Sequence, residues 1–176
     1  MEESSGKMVL HTWHKKDKNH AIKVPQYRQR TNYDCGPTSL KMVLAHYGKV
    51  ISVKKLRNLC KTSPENGTGP TGLKRAARRL GFSVWDKNNA SIKDLKKYTL
   101  LHPVIVHYVA WGGGHYSVVI GVSKDRVLIA DPSKHGIIRT VNKSRFLKYW
   151  VDENINDKPP HRRWLLVVKP KKKIAA

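Results

Sequence analysis

Cysteine is scarce in this chain of 176 residues, which contains only two, Cys35 and Cys60. Two cysteines do not make a disulfide framework, so nothing in the sequence requires an oxidising compartment. Long apolar runs are missing as well: no stretch approaches the roughly 18 uninterrupted apolar residues of a membrane-spanning helix, and the first residues lack the pattern of a signal peptide. We therefore expect a soluble, cytoplasmic protein without a transmembrane segment.

Acidic residues are also few: 12 Asp and Glu stand against 35 Lys and Arg, which gives a formal net charge of +23. A surplus of this size favours association with nucleic acid, an anionic lipid surface or an acidic protein. The alternative is a lysine-rich surface that is merely solvated. The charge thus indicates a class of partner and says nothing about the fold.

A single domain is the organisation that the length and patterning favour. Residues 1–21 are polar and show no hydrophobic period, so we interpret them as an N-terminal extension, and residues 170–176 form a basic tail. The extension contains three histidines, but no paired cysteine or carboxylate spacing accompanies them, so we assign no metal site there. The domain itself covers residues 22–169.

Helical patterns come first along the chain. The clearest helix starts between residues 36 and 38, places Leu40, Val43 and Leu44 on one face, and stops at Gly48. Further helices are predicted over 52–61, 71–80 and 91–98, with a short strand over 82–85. Strands then follow over 103–109, 115–122, 126–130, 136–141 and 164–169, interrupted by a helix over 143–150. This order predicts an α+β fold with N-terminal helices packed on a C-terminal antiparallel sheet.

The predicted helix over 71–80 has a strongly basic face made of Lys74, Arg75, Arg78 and Arg79. No acidic residue lies among them, and like charges at this spacing destabilise a helix slightly. An anionic partner would relieve the repulsion, so this basic face is a candidate binding surface for nucleic acid or an acidic protein. The alternative is a solvated helix face.

Cys35 lies just before the first helix, and this position favours a reactive thiol. Unpaired N–H groups and the helix dipole at an N-terminus stabilise the thiolate, which is the nucleophilic form of cysteine. The alternative is that Cys35 is a small buried hydrophobic residue, a common role for free cysteine. Cys60 is most simply explained in that second way.

A thiolate nucleophile needs an imidazole base and a group that orients the base. His115 opens one predicted strand after three glycines, and Asp131 closes the next strand. If the two strands pair as a hairpin through residues 123–125, their outer ends bring His115 beside Asp131. The alternatives are a core histidine for His115 and a turn residue for Asp131.

An acyl-transfer site also needs a donor for the oxyanion. Gln29 lies six residues before Cys35 and outside the helix, so its amide can fold back toward the substrate carbonyl beside the Cys35 N–H. Gln26 competes on composition alone, at a less suitable spacing.

These residues carry a resemblance to a known family. The run 29–48, written QRTNYDCGPTSLKMVLAHYG, the later GHY at 114–116 and DP at 131–132 resemble the double-glycine leader peptidases, which are bacteriocin-processing cysteine peptidases of papain-like fold, in a stand-alone form without the ABC exporter. The resemblance covers about residues 24–168. It implies that Cys35 is the nucleophile, His115 the base, Asp131 the orienting acid and Gln29 the oxyanion-hole side chain.

We therefore expect a cysteine endopeptidase that cleaves peptide or protein substrates and requires neither a metal nor an organic cofactor. The chain has no GxxxxGK[ST] phosphate loop, so a double-glycine leader is not assumed as the substrate. Two alternatives stay open. One is a basic module on a peptidase-like scaffold that binds nucleic acid or an acidic protein; the other is an amidase or acyltransferase acting on a non-protein amide. A virus-encoded or virion-associated peptidase guided to nucleic acid would combine cleavage with binding.

Overall fold

The computed structural model describes residues 21–110, 113–133, 138–151 and 162–171, and the structural statements below concern these residues. The predicted N-terminal extension lies outside them apart from Ala21, and the predicted basic tail lies outside them apart from Pro170 and Lys171. Within the described ranges, no helix is both long and apolar enough to cross a bilayer.

The predicted helices and strands are all present, with boundaries shifted by a few residues at most. The helices are α1 (Cys35–His46), α2 (Val53–Cys60), α3 (Pro70–Arg79), α4 (Ile92–Tyr98) and α5 (Lys143–Tyr149). The strands are β1 (Phe82–Lys87), β2 (Val104–Ala110), β3 (Gly113–Val122), β4 (Arg126–Ala130), β5 (Ile138–Asn142) and β6 (Leu165–Pro170). The first two residues of the predicted strand over 136–141 lie outside the described residues.

The strands form one antiparallel sheet in the order β1-β6-β2-β3-β4-β5. The predicted α+β fold is therefore confirmed. Strand β1 is two residues longer than predicted and continues to Lys87, because β6 pairs with it along its whole length, from Phe82 opposite Pro170 to Lys87 opposite Leu165. The sequence of β1 alone does not show that β6 pairs with it, so the end of the strand could not be predicted.

Both faces of the sheet are covered by helices. On one face the apolar side of α1, including the fully buried Leu40 and Leu44, packs against residues of β3 such as Tyr116. On the other face α4 and α5 enclose a second core, in which Phe146 and Trp150 lie against β2 and β4. The N-terminus of α1 and the outer ends of β3 and β4 are positioned by these two cores.

Helices α2 and α3 pack closely at Cys60. A side chain at Gly72 would collide with the Cys60 carbonyl oxygen, so this approach requires glycine. Arg75 donates hydrogen bonds to the carbonyl oxygens of Leu59 and Cys60 at 3.3 and 2.9 Å. Burial raises the pKa of the Cys60 thiol to about 12, which agrees with the interpretation of Cys60 as a small core residue.

Candidate active site

Cys35 is the first residue of α1, one to three residues earlier than the predicted start, and its exposed fraction is only 7%. Asp34 occupies the N-cap position without making a side-chain cap. The first-turn N–H groups are therefore not taken up by a capping side chain, and the positive end of the helix dipole lies at the thiol.

Asp34 is itself fully buried and is held by Arg57 of α2. The Arg57 Nε donates to Oδ1 at 2.9 Å and Nη2 donates to Oδ2 at 2.7 Å, so the pair is bidentate. The hydrogen bond to Asp34 raises the pKa of Arg57. The ion pair ties α2 to the residue immediately before Cys35 and balances the negative charge there. Sequence reasoning missed this pair because its two members are brought together only by the packing of α1 against α2.

The structure brings His115 and Asp131 together through the hairpin of β3 and β4. Val118 lies opposite Ala130 and Val122 opposite Val127, so the residues beyond these pairs meet at the outer end. His115 Nε2 lies 2.8 Å from Asp131 Oδ1, and both side chains are buried.

His115 also interacts with Cys35. Burial on its own lowers the pKa of His115, but the hydrogen bonds to Asp131 and Cys35 and the negative charge of those groups outweigh burial and raise the pKa to about 9. Nε2 is the ring nitrogen that Asp131 engages. Both Asp131 and Cys35 therefore favour the charged form of the imidazole.

Asp131 is fully buried and accepts three hydrogen bonds. Besides His115, the backbone N–H of Ser133 donates to Oδ1 at 2.9 Å, and Arg139 Nη1 donates to Oδ2 at 3.1 Å. Burial raises the pKa of Asp131, but the contacts with His115, Ser133 and Arg139 outweigh it and the net pKa is lowered. Arg139 reaches Asp131 from the neighbouring strand β5, and no local motif marks it in the sequence.

Tyr108 is a further residue of the site that sequence reasoning missed. It lies opposite His115 in the β2–β3 ladder, and the two rings meet edge to face with centroids 5.6 Å apart at 88°. Its hydroxyl lies 3.1 Å from Ser117 Oγ. Tyr108 thus packs against the imidazole and limits its rotation. The β2–β3 register decides this contact, which makes it invisible before strand pairing is known.

Gln29 lies beside the site, and its backbone N–H donates to the carbonyl oxygen of Pro132, directly after Asp131, at 2.8 Å. Its side-chain Nε2 donates to the Thr31 carbonyl oxygen at 2.8 Å, while the buried Oε1 has no hydrogen-bond partner among the described residues. Gln26 Nε2 donates to the Val24 carbonyl oxygen. The backbone bond therefore joins Gln29 to the end of the β3–β4 hairpin, whereas Gln26 makes no backbone bond to this hairpin among the described residues.

The predicted basic face of α3 is smaller than the sequence indicated. Lys74 forms a 2.8 Å ion pair with Asp86 of β1, and Arg75 is directed to the end of α2 as described above. Of the four cations, only Arg78 and Arg79 are exposed. The interpretation of four cations as one free face is thus corrected, because the acidic partner of Lys74 comes from a different element.

Comparison with known proteins identifies similar chains. The Peptidase C39 family matches residues 23–159. The chain is 34% identical over 142 residues to the mesentericin-Y105 transport/processing ATP-binding protein MesD of Leuconostoc mesenteroides, covering 76% of this chain and 19% of MesD. It is 33% identical over 132 residues to the lactococcin-G-processing and transport ATP-binding protein LagD of Lactococcus lactis subsp. lactis, covering 74% of this chain and 18% of LagD. The chain thus spans about a fifth of the length of these relatives.

Two solved structures are similar over most of the chain. The peptidase domain of Streptococcus ComA, a bifunctional ABC transporter of a quorum-sensing pathway, superimposes with a TM-score of 0.70 at 30% identity, covering 85% of this chain and 99% of that domain. A double glycine motif protease from an AMS/PCAT transporter, in complex with the leader peptide, gives a TM-score of 0.68 at 25% identity and covers 86% and 94% of the two chains. These neighbours confirm the predicted papain-like fold. The named relatives are bacterial and lend no support to a viral origin or to nucleic-acid binding.

Proposed function

Because the chain belongs to the Peptidase C39 family, we propose that Cys35, His115 and Asp131 carry out its reaction as a cysteine endopeptidase. Family membership confirms the enzyme class predicted from the sequence, a cysteine peptidase. The assignment of the three residues rests on one observation: the buried His115 imidazole is hydrogen-bonded to the Asp131 carboxylate, and its pKa is raised by both Asp131 and Cys35.

In the proposed reaction, the Cys35 sulfur attacks the carbonyl carbon of a peptide bond and the C=O electrons move to oxygen. The charged His115 then transfers its proton to the leaving nitrogen as the C–N bond breaks, leaving a thioester on Cys35. Water attacks the thioester and gives a proton to His115, and the thiolate departs. Asp131 keeps the imidazole oriented and stabilises its charged form in both halves.

The proposed oxyanion donors are the Cys35 N–H at the start of α1 and the Gln29 amide. One hydrogen of Gln29 Nε2 is donated to the Thr31 carbonyl oxygen, which fixes the direction of the amide and leaves the second hydrogen for the substrate oxygen. Loss of one such donor typically lowers kcat by about 10²- to 10³-fold. Gln29→Ala should show a loss of this order with little change in KM, whereas Gln26→Ala, the matched control, should retain activity.

The substrate we propose is a peptide, and a peptide containing a Gly-Gly pair is the first probe, since one structural neighbour is a double glycine motif protease bound to a leader peptide. Wild type and Cys35→Ala would each be incubated with a proteome-derived peptide library and with the Gly-Gly peptides. Cleavage by wild type alone, with covalent labelling of Cys35 by a peptidyl electrophile, is the expected result. Equal cleavage by both proteins, or none by either, would contradict the proposal.

A further inference from the structure

A cavity of about 530 Å³ lies beside the proposed active site and is lined by residues of β2, β4, β5 and α5. Its volume falls within the range of about 300–1,000 Å³ typical of ligand pockets. Two of its lining residues also touch the site: the Tyr108 ring meets His115 edge to face, and Arg139 donates a hydrogen bond to Asp131. A group bound in this cavity would therefore lie next to the catalytic histidine and aspartate.

The described lining of the cavity is strongly positive. Three arginines, Arg126, Arg139 and Arg145, line it, and no aspartate or glutamate is among the described lining residues. Arg139 forms an ion pair with Asp131. Arg126 Nε lies 3.8 Å from Oδ2 of Asp125, whose side chain is 74% exposed. No ion pair with Arg145 is found within the described part of the chain. The Arg145 guanidinium is thus a charge of the cavity wall that no ion pair among the described residues balances.

Apolar and aromatic side chains, among them Ile129, Phe146 and Tyr149, form a further part of the wall, to which Thr140 and Asn142 add polar groups. Such walls accept the methylene groups of a side chain, while the arginines accept its charged end. Guanidinium groups bind carboxylates bidentately, with good geometry and charge-assisted hydrogen bonds. The group that fits both the walls and the charge is an aspartate or glutamate side chain.

We propose that this cavity binds an acidic side chain of the peptide substrate, so that the enzyme prefers peptides with a glutamate or aspartate close to the scissile bond. The inference rests on the proposed peptidase function and adds the chemistry of the substrate to it. It also gives part of the basic surplus of the chain, 35 Lys and Arg against 12 Asp and Glu, a role near the reaction.

The test measures binding separately from cleavage. Cys35→Ala protein is titrated with acetylated, amidated peptides that contain one Gly-Gly pair in an Ala/Ser background, with a single Glu moved through each position. Each Glu peptide has a Gln twin, and capping both ends ensures that only the side chain carries a carboxylate. Each Kd is determined in the Cys35→Ala background and in that background with Arg145→Gln, Arg145→Lys or Arg79→Gln. The last is the matched control, because it removes the same charge from the exposed surface of α3.

The expected result is a Glu peptide that binds about tenfold more tightly than its Gln twin, the lower end for a hydrogen bond to a charged group because the arginines are partly exposed. Arg145→Gln should abolish the difference, while Arg145→Lys should retain part of it and Arg79→Gln all of it. Equal binding of Glu and Gln twins at every position, absence of binding by any peptide, or an equal effect of Arg79→Gln would each overturn the inference. Failure of wild type to cleave a peptide that binds would instead count against the proposed function alone.

Discussion

Arg57→Met should destabilise the protein strongly, because it removes the partner of a carboxylate that has no access to water. Asp34 is fully buried, and both of its oxygens are bonded to Arg57 at 2.9 and 2.7 Å. Breaking a buried pair by removing one member typically costs 3–5 kcal/mol. The Arg57 side chain is itself 30% exposed, so water can partly replace it and we expect about 3 kcal/mol, at the lower end. For a chain of this size, that corresponds to a fall in Tm of about 6–12 °C.

The measurement is urea unfolding of wild type, Arg57→Met, Asp34→Asn and the double variant. The double variant should be more stable than Arg57→Met alone, because it no longer buries an uncompensated charge. Lys87→Met is the control, since it breaks an ion pair with Asp94 in which Lys87 is 40% exposed, and such pairs contribute about 0–1 kcal/mol. The reasoning is refuted if Arg57→Met costs no more than Lys87→Met, or if the double variant is the least stable of the set.

Three further predictions concern the site. Asp131→Asn should lower kcat/KM by roughly 10³- to 10⁴-fold, since the imidazole loses its orienting charge, and an NMR titration should show the pKa of His115 below its value of about 9. Arg139→Gln should leave the fold intact but lower the pH at which activity is lost on the alkaline side of the pH–rate profile. The reason is that Arg139 positions Asp131, which raises the pKa of His115. Arg139→Lys should restore much of the wild-type profile. Stability should fall as pH rises from about 6.5 toward 9, because folded His115 binds its proton more tightly than the unfolded chain does, and urea midpoints across this range would show the loss.

Each of these has an outcome that contradicts it. An unchanged His115 titration in Asp131→Asn would mean that the carboxylate does not raise its pKa. Equal pH–rate profiles for Arg139→Gln and wild type would show that Arg139 does not position Asp131 for the reaction. Replacing His115 with Gln should abolish the decrease in stability between about pH 6.5 and 9, so persistence of the decrease in that variant would show that other groups cause it.

Local signals in the sequence were sufficient for most helices. The spacing of Leu40, Val43 and Leu44 predicted α1 and its buried face, and Gly48, with a φ of +79°, lies where the helix ends. Ser52 caps α2 by accepting from the Lys55 N–H, and Ser91 begins α4 with a complete capping box. These features act within one turn of helix, so neighbouring residues are enough to specify them.

The pairing of β3 with β4 could also be predicted from the sequence. The turn over 123–125 joins two adjacent β-branched runs, and antiparallel pairing of neighbouring strands is a local rule, so the meeting of His115 and Asp131 was foreseeable. The contacts that hold His115 and Asp131 in place could not be predicted from the sequence. Arg139 reaches Asp131 from β5, and Tyr108 meets His115 from β2. Both depend on the register of strands outside the hairpin.

The sequence by itself determined the order of helices and strands, the basic charge and the residues able to perform thiol chemistry, because each is a property of composition or of near neighbours. Tertiary structure alone decided which charges are balanced: Asp34 by Arg57, Lys74 by Asp86 and Asp131 by Arg139. It also enclosed the arginine-lined cavity. Coulomb interactions and desolvation depend on distances across the core, and those distances exist only once the helices have packed on the sheet.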